Sequence, residues 1–363
     1  MKVFITGICG FVGRTVAEAL AAADDGIRVA GLDNFARPGS RSNLDPLRRR
    51  GISVIEADIR DPDAMGRAVA ATGGADWIVD AAANPSAVAG LDARSPSRDL
   101  VDNNLLGTIN VLEHCKASGA GLILISSSRV YAIEPLAGLD LETVDGAFRP
   151  RLDAGGPAGL SRAGVTEHFS STPPLSLYGA CKLASETMAL EYGRAFGFPV
   201  WIDRCGVLAG AGQFGVPDQG IFAYWINAWR RAYPLRYIGF AGTGHQVRDC
   251  LHPRDLIPLF LRQMREPGRK VPAIVNVGGG MASAMSLKNL SVWCEQRFGP
   301  RAVGVDPALR PFDLPWMVLD ATLAERTWDW RPATPVAAIL EEIAVHADTH
   351  PDWLALSGLE RAP

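Results

Sequence analysis

The segment LYGACK, residues 177–182, contains a tyrosine and a lysine four positions apart. Residues four apart in a helix lie one turn from each other, so Tyr178 and Lys182 can point into the same space. A tyrosine ordinarily titrates near pH ~10, and a neighbouring ammonium group stabilises the phenolate and lowers that pKa. The pair is therefore a candidate proton-transfer site, although the same spacing also arises by chance on a helix surface.

Three serines, Ser126, Ser127 and Ser128, end the apolar stretch that begins at residue 122. An apolar stretch of this length predicts a buried strand. In open parallel sheets, ligands bind at the carboxyl ends of the strands. We therefore expect these serines to lie beside the functional site.

The first apolar run leads into TGICGFVG, in which Gly7, Gly10 and Gly13 follow the pattern GxxGxxG. Glycines let such a turn adopt positive φ and approach a diphosphate, while the helix that begins near Phe11 offers unpaired N–H groups. Asp33 follows Gly13 by twenty positions, at the end of the second run. A carboxylate there accepts hydrogen bonds from ribose hydroxyls and repels a 2′-phosphate. The motif predicts a dinucleotide site that prefers NAD to NADP.

Further candidates for cofactor contact follow the next predicted strands. They are Asn34, Asp58, Ile59, Ala81, Ala82 and Ala83. We expect the pair after the third strand, Asp58 and Ile59, to meet the adenine. The three alanines are small enough to admit the cofactor backbone, and the alternative is that they only allow tight packing.

Short apolar runs alternate with helical patterns through the first two thirds of the chain. The runs lie at residues 3–6, 28–32, 53–57, 77–81, 122–126 and 200–204, with a further run at 274–278. Strands without polar alternation, each followed by a helical pattern, predict a parallel sheet covered on both faces. The predicted fold class is α/β, a Rossmann-type doubly wound sheet with a smaller C-terminal substrate-binding domain.

The chain after residue 205 is irregular and rich in turns, which predicts two domains. We expect an NAD-binding domain at 1–205, with returning segments near 250–280, and a substrate-binding domain at 206–249 and 281–363. Residues 132–176 are rich in Gly and Pro and far longer than an ordinary connection. They form either a cover over the site or a surface excursion.

The chain has 363 residues, of which 48% are hydrophobic and 21% charged, and a net charge of −3. This composition is that of a soluble globular protein, and the charge gives no attraction to nucleic acid or to an anionic membrane. No leader or membrane-spanning segment is evident. The six cysteines form no CxxC pair and have no histidines at metal-ligand spacing. We expect buried thiols, no metal site and a cytoplasmic protein.

The glycine turn, the serine and the YxxxK pair, in this order, resemble the extended short-chain dehydrogenase/reductase superfamily, in its branch of NAD-dependent epimerases and dehydratases. The resemblance covers nearly the whole chain. It implies that Tyr178 takes a proton from a sugar hydroxyl, that Ser127 hydrogen-bonds the same oxygen, and that Lys182 also holds the nicotinamide ribose. Asn104, in DNNLLGT, matches the family position that steadies this region near the cofactor.

Two positions beside the catalytic serine bear on the reaction. Dehydratases of this branch carry an Asp–Glu pair there and decarboxylases keep a Glu, whereas this chain has Ser128 and Arg129. The resemblance therefore favours epimerisation through a keto-sugar. Arg248, in QVRDCLH, and Arg310, in LRPFD, resemble the family's diphosphate-binding arginines. The alternative for Arg248 is a salt bridge that closes the two domains.

Longer segments, among them residues 33–44, 204–220 and 234–249, resemble the CDP-paratose 2-epimerase subgroup, which implies a CDP-linked sugar inverted at C2. Gln213, Gln219 and Tyr237 are weaker candidates for contact with the nucleotide, and the alternative for Tyr237 is core packing. A UDP-hexose 4-epimerase and a non-catalytic NAD-binding sensor are the alternative functions. The resemblance also implies a homodimer or homotetramer.

Overall fold

The computed structural model describes residues 1–23, 26–92, 95–152, 155–308 and 310–359 of the chain. Its centre is a sheet of seven parallel strands. In chain order they are β1 (Lys2–Thr6), β2 (Arg28–Asp33), β3 (Ser53–Glu56), β4 (Trp77–Asp80), β5 (Gly121–Ser127), β6 (Val200–Cys205) and β7 (Ile274–Val277). Their spatial order is β7-β6-β5-β4-β1-β2-β3, so the strand order reverses between β1 and β4. The predicted doubly wound α/β fold is confirmed.

Both faces of this sheet are buried. Successive residues of a strand point to opposite faces. On β1, Val3 and Ile5 belong to the hydrophobic cluster of one face and Phe4 to that of the other. On β5, Ile123 belongs to the cluster of the first face and Leu124 to that of the second. Because both faces carry apolar side chains, these strands show no polar alternation and each face needs a layer of helices.

Helices cover both faces of the sheet and build much of the C-terminal part. They are α1 (Phe11–Ala23), α2 (Leu44–Arg49), α3 (Pro62–Ala71), α4 (Ser97–Val101), α5 (Gly107–Ser118), α6 (Ile133–Ala137), α7 (Leu177–Phe196), α8 (Ile221–Arg230), α9 (Ile257–Arg265), α10 (Leu287–Phe298), α11 (Thr322–Trp328), α12 (Val336–Thr349) and α13 (Trp353–Leu356). Helices α1, α2, α9 and α11 pack on one face of the sheet, and α3, α5 and α7 pack on the other. In the described ranges, no helix combines the length and apolarity needed to cross a membrane.

The C-terminal part has a hydrophobic core of its own. Helices α8, α10 and α12 supply Trp225, Trp229, Leu290, Ile339 and Ile343 to it. Short strands lie outside the main sheet at Leu91–Asp92, Ser95–Pro96, Leu141–Val144, Ala147–Pro150, Leu160–Ser161, Gly164–Val165, Val207–Leu208, Arg236–Ile238, Val247–Leu251, Ala284–Ser286, Gly304–Asp306 and Trp316–Met317. The division of the chain into two domains stays a prediction.

The insert at residues 132–176 is folded against the body of the molecule. Residues 153 and 154 lie outside the described residues; the rest forms α6, an antiparallel pair of strands at Leu141–Val144 and Ala147–Pro150, and further short elements. Its Val165 and Phe169 are buried in a cluster with Trp316 and Leu319. The described part of the insert is therefore held by apolar packing, and it is not a loose surface excursion.

Candidate active site

A cavity of about 690 Å³ lies at the carboxyl ends of the central strands. The predicted residues that line it are Gly7, Gly10, Phe11, Gly13, Asp33, Asn34, Ile59, Ala81, Ala82, Ala83, Ser127, Ser128, Arg129, Tyr178, Lys182, Gln213, Gln219, Arg248 and Arg310. The structure thus places the glycine turn, the serines, the YxxxK pair and both arginines around one space. None of the described residues of the insert lines this cavity, so the structure does not place the insert as its cover.

The glycine turn after β1 forms one wall of the cavity. Gly7 has a φ of 65°, and a Cβ there would lie 2.9 Å from the Cα of Ala82. The turn therefore needs a residue without a side chain, both for its conformation and for the close approach of the chain after β4. Helix α1 begins at Phe11 beside the same space. Its first N–H groups have no partner within the helix and suit an anion.

Asp33 closes the adenosine end of the predicted dinucleotide site. It is 6% exposed, and its carboxylate accepts hydrogen bonds from the N–H groups of Cys9 at 2.9 Å and Phe35 at 2.8 Å. Burial raises the pKa of Asp33, and these backbone hydrogen bonds oppose that effect. The carboxylate lines the cavity and can accept further hydrogen bonds, so the residue fits the hydroxyls of a ribose. The turn and this carboxylate together fit the diphosphate and adenosine of a dinucleotide.

Helix α7 presents the YxxxK pair to the cavity. Ser176 caps the helix by accepting a hydrogen bond from the N–H of Gly179 at 3.1 Å. This cap places Tyr178 and Lys182 in the first two turns, where they are 6% and 2% exposed. The Lys182 ammonium donates to the carbonyl oxygen of Ile125 at 2.9 Å, which holds the helix against β5.

The pKa of the phenol differs from the prediction. Burial raises the pKa of Tyr178 to about 12, while a hydrogen bond with Ser127 and the charge of Arg129 act to lower it. The sequence predicted Lys182 as the group that lowers this pKa. In the structure Ser127 and Arg129 act to lower it, and the Lys182 ammonium donates to Ile125; the effect of Lys182 on the phenol stays a prediction.

Three guanidinium groups make the substrate end of the cavity cationic. Arg248 forms an ion pair with Asp313 at 2.7 Å, and Arg310 one with Asp218 at 2.7 Å. Arg129 donates to the carbonyl oxygen of Phe312 at 2.8 Å. Burial, followed by the charge of Arg248, lowers the pKa of Arg129 to about 10. Arg248 and Asp313 both belong to the predicted substrate-binding domain, so their salt bridge is not the domain-closing pair considered as the alternative, and the Arg248 guanidinium still lines the cavity.

Three predicted contact residues lie outside the cavity wall, namely Asp58, Asn104 and Tyr237. Asp58 binds the side chains of Asn34 and Arg60, and although burial opposes it, these hydrogen bonds lower the pKa of Asp58 to about 2. Asn104 accepts from the N–H of Asn84 at 2.8 Å and donates to its carbonyl oxygen at 2.9 Å. Asn84 lines the cavity, so Asn104 acts through it.

Tyr237 is a correction to the predicted nucleotide contacts. Its ring stacks on Trp225 with centroids 5.6 Å apart, and its hydroxyl donates to Ser291 at 2.7 Å. The side chain is 6% exposed and belongs to the core of the C-terminal part. It cannot stack on a nucleotide base, because its ring faces are taken by packing.

Sequence reasoning missed several polar residues of the cavity wall. Arg37 lines the adenosine end and donates to the carbonyl oxygen of Phe214. Gln246 lines the substrate end, and its buried side-chain oxygen has no hydrogen-bond partner among the described residues. A signal existed for Gln246, because it lies two positions before Arg248 and residues two apart in an extended chain share a side. Arg37 lies in a loop, where no period applies.

The cysteines lie buried as free thiols, as predicted. They are Cys9, Cys115, Cys181, Cys205, Cys250 and Cys294. Within the parts of the chain that the structure describes, no three His, Cys, Asp or Glu side chains come together in a way that could hold a metal ion.

Comparisons with known proteins identify the family and the relatives of this chain. A family model described as NAD dependent epimerase/dehydratase family matches residues 3–278. The chain is 27% identical over 349 residues to the CDP-paratose 2-epimerase of Salmonella typhi, which covers 92% of this chain and 95% of that protein. It is 25% identical over 337 residues to the UDP-glucuronate 4-epimerase of Thermodesulfobacterium geofontis, covering 90% of each.

Among solved structures, the UDP-glucuronic acid 4-epimerase from Bacillus cereus, in complex with UDP-glucuronic acid and NAD, is similar with a TM-score of 0.73. The two chains are 22% identical, and the match covers 96% of this chain and 99% of that one. At this identity the likeness shows a shared fold.

Proposed function

The chain belongs to the NAD dependent epimerase/dehydratase family, and we propose that it is an NAD-dependent epimerase that inverts C2 of a CDP-linked hexose. The observation that carries the proposal is one cavity lined by Ser127, Tyr178 and Lys182 together with a dinucleotide turn and a cationic end. When bound, NAD supplies an acceptor that takes a hydride from a ring carbon and can return it. The remaining steps fall to the side chains of this chain.

Tyr178 is the proposed base. As the phenolate, it takes the proton from the sugar hydroxyl on the carbon to be oxidised, and Ser127 donates a hydrogen bond to the same sugar oxygen. After the keto-sugar has rotated in the cavity, Tyr178 returns the proton to the ketone oxygen as the carbon is reduced, which gives the alcohol and restores the phenolate. Lys182 holds its position through Ile125 and keeps a positive charge beside the reacting groups.

The absence of an acid pair next to Ser127 supports epimerisation over dehydration. Elimination of water requires a general acid and a general base at the reacting carbons. At the two positions after Ser127 the chain has Ser128 and Arg129, and the Arg129 side chain donates to Phe312. These residues can donate hydrogen bonds but supply no carboxylate.

The cationic end of the cavity supports a nucleoside-diphosphate sugar as substrate. Arg129, Arg248 and Arg310 carry three positive charges, of which Asp313 and Asp218 neutralise two. A diphosphate offers several oxygens to guanidinium groups, which bind such pairs of oxygens by two parallel hydrogen bonds. Binding of the substrate would therefore replace carboxylate partners of Arg248 and Arg310 by phosphate oxygens.

A UDP-hexose 4-epimerase is the second candidate. The chain is 25% identical to a UDP-glucuronate 4-epimerase, close to the 27% for the CDP-paratose 2-epimerase. The same serine, tyrosine and lysine would act on another ring carbon. The similarity to the CDP-paratose 2-epimerase over 95% of its length favours the C2 reaction of a CDP-sugar.

Incubation with a panel of CDP-hexoses and UDP-hexoses, followed by NMR of the products, tests this proposal. The expected result is inversion at C2 of a CDP-hexose. Inversion at C4 of a UDP-hexose, with every CDP-hexose unchanged, would replace the first candidate by the second. Binding of NAD without turnover of any nucleotide sugar would identify the protein as a non-catalytic sensor.

We also propose that the protein is a homo-oligomer. Leu106, Leu177 and Phe196 lie in or beside α5 and α7 and are 41%, 40% and 49% exposed. Leu177 and Phe196 stand at the two ends of α7, and exposed apolar side chains along neighbouring helices suit an interface with a second copy. Light scattering coupled to size-exclusion chromatography would give a dimer or tetramer mass, and a monomer mass at high concentration would overturn the proposal.

A further inference from the structure

Strand β4 ends in an aspartate that has no part in the steps above. We propose that Asp80 is a positioning residue whose buried carboxylate is the counter-charge of the Lys182 ammonium group and anchors the cavity wall after β4. The inference goes beyond the proposed function, and only its kinetic consequence rests on that function.

The described surroundings of Asp80 contain hydroxyl groups and no direct cationic partner. Its side chain is 0% exposed. One carboxylate oxygen accepts from the hydroxyl of Thr6 at 2.6 Å and the other from the hydroxyl of Thr108 at 2.8 Å. Among the described residues, no lysine, arginine or histidine forms a salt bridge with it. A buried carboxylate in this position is costly unless a positive charge lies nearby.

Lys182 is a buried cation whose hydrogen bond goes to a neutral group. It is 2% exposed, and the hydrogen bond that its ammonium group makes goes to a carbonyl oxygen, that of Ile125. Ile125 follows Leu124, which is the register partner of Asp80 between β4 and β5. The Asp80 carboxylate therefore lies at the end of β4 and the Lys182 ammonium group is held at Ile125 of the neighbouring strand β5, so each charge lowers the cost of burying the other.

The other titratable groups near Lys182 do not replace Asp80. Glu186, one turn further along α7, is held by Arg204 in an ion pair at 2.6 Å that compensates its charge. Cys181 from α7 and Cys205 from β6 are buried thiols whose pKa values are raised by burial, so they remain neutral. Tyr178 is kept neutral in the same way, because burial raises its pKa to about 12.

The electrostatic balance at Lys182 agrees with this reading. Burial lowers the pKa of Lys182, and Asp80 is the largest influence that raises it, ahead of Glu186. Cys115, which faces Asp80 from α5, has a pKa raised to about 12 by burial and then by Asp80, so it adds no charge. Asp80 thus favours the protonated form of Lys182.

Asp80 also sets the direction of the hydrogen bonds behind the cavity wall. A carboxylate can only accept, so the hydroxyl of Thr6 must donate to it. The oxygen of Thr6 then accepts from the N–H groups of Ala81 and Ala82, each at 3.1 Å. Both alanines line the cavity. The carboxylate therefore fixes the start of the loop along which the cofactor is expected to lie.

Asp80→Asn separates charge from hydrogen bonding. The amide oxygen can still accept from Thr6, and the amide N–H can donate to Thr108, whose hydroxyl can then donate to the carbonyl oxygen of Asn104. The substitution thus removes the negative charge and keeps a bonded network. Asp203→Asn is the matched control, because Asp203 is also 0% exposed but is bonded to Gln263 of α9 on the other face of the sheet.

The titration of Lys182 gives the direct test. The chain has the five lysines Lys2, Lys116, Lys182, Lys270 and Lys288, so the Cε signals of protein labelled with ¹³C-lysine can be resolved by NMR and assigned by Lys182→Arg. We expect the titration midpoint of Lys182 to move to lower pH in Asp80→Asn and to stay unchanged in Asp203→Asn. Asp80→Ser is measured in parallel, so that a folding failure of one variant does not remove the comparison. An unchanged midpoint in a folded Asp80 variant overturns the proposal.

The pH dependence of kcat gives a second test of the proposal. If Asp80 keeps Lys182 charged, the decline of kcat at alkaline pH begins at lower pH in Asp80→Asn than in the wild type. A purely structural role would lower kcat by the same factor at every pH and would contradict the proposal. If no nucleotide sugar is turned over, the proposed function fails, whereas the NMR result still decides the role of Asp80.

Discussion

At the scale of single residues, the proposed chemistry depends on a phenol that burial keeps protonated. Because burial raises the pKa of Tyr178 to about 12, its hydroxyl is neutral at neutral pH in the structure as it stands. Tyr178 can accept a proton only as the phenolate, and that form needs positive charge nearby to stabilise it. The charges available are Arg129, Lys182 and, in the complex with the cofactor, the oxidised nicotinamide. The base is therefore active only in the assembled site.

Tyr178→Phe removes this hydroxyl and keeps the buried ring. We expect kcat to fall about 10²–10⁴-fold, the usual contribution of a positioned acid–base group, with NAD affinity unchanged by calorimetry. Tyr192→Phe is the control, since Tyr192 lies on the same helix but donates to Glu113 at the surface. Equal losses of kcat in both variants, or no loss in either, would exclude Tyr178 as the base.

The two arginines of the substrate end differ in how they affect stability. The side chains of Arg248 and Asp313 are each 13% exposed, so Arg248→Gln leaves a nearly buried carboxylate without its cation. We expect this to lower the free energy of unfolding by about 3–5 kcal/mol. Arg310 and Asp218 are 27% and 56% exposed, and losing such a pair costs about 0–1 kcal/mol.

We therefore expect both Arg248→Gln and Arg310→Gln to raise KM for the nucleotide sugar, while only Arg248→Gln lowers the melting temperature by several degrees. Calorimetry and initial rates separate the two effects. An unchanged KM in Arg310→Gln would remove that residue from the diphosphate site.

At the scale of elements, the carboxyl ends of the strands position the site and the insert supports it from outside. Phe169 of the insert is 3% exposed and meets the ring of Tyr131 edge to face, with centroids 6.0 Å apart. Tyr131 in turn donates to Asn276 of β7 at 2.6 Å. The insert therefore covers the chain that follows β5 and holds it to the sheet.

Phe169→Ala should destabilise the protein without changing substrate binding. Removing a buried phenyl ring costs about 3–5 kcal/mol, and we expect this loss in the free energy of unfolding measured in urea, with KM unaffected. His168→Ala is the neighbouring control, because His168 is exposed. A rise in KM with no loss of stability would mean that the insert acts as a cover of the site after all.

The central sheet was predictable because its strands are buried on both faces, and three of them end at or beside a residue type with a recognisable role. Gly7 after β1, Asp33 at the end of β2 and Ser127 at the end of β5 follow from sequence pattern alone. The insert was not predictable, because Phe169 gains its partners from the distant segment that contains Trp316. Tyr237 was misplaced because a strand period gives the side of a residue but not what lies on that side.

At the scale of the whole molecule, buried carboxyl groups make stability depend on pH. Burial raises the pKa of Asp203 from 3.8 to about 7. A group whose pKa is raised in the folded state adds stability that is complete below its unfolded pKa and is lost as pH rises through the folded value. The protein should therefore lose stability between about pH 4 and pH 7 through this residue.

Asp203→Asn removes that dependence. We expect the free energy of unfolding of the variant to exceed that of the wild type at pH 8 and the difference to shrink as pH falls toward 4, as measured by urea titration. Asp63→Asn serves as the exposed control. Parallel pH profiles for the wild type and Asp203→Asn would show that Asp203 is not the group responsible.

The central claim is that one carbon of the sugar gives up a hydride and receives the same hydride on its other face. A CDP-hexose that carries deuterium at C2, incubated with the enzyme in ordinary water and examined by NMR and mass spectrometry, tests it most directly. The account predicts an epimerised product that keeps its deuterium at C2. Replacement of that deuterium by solvent hydrogen would show that C2 is inverted by proton exchange and would contradict the account.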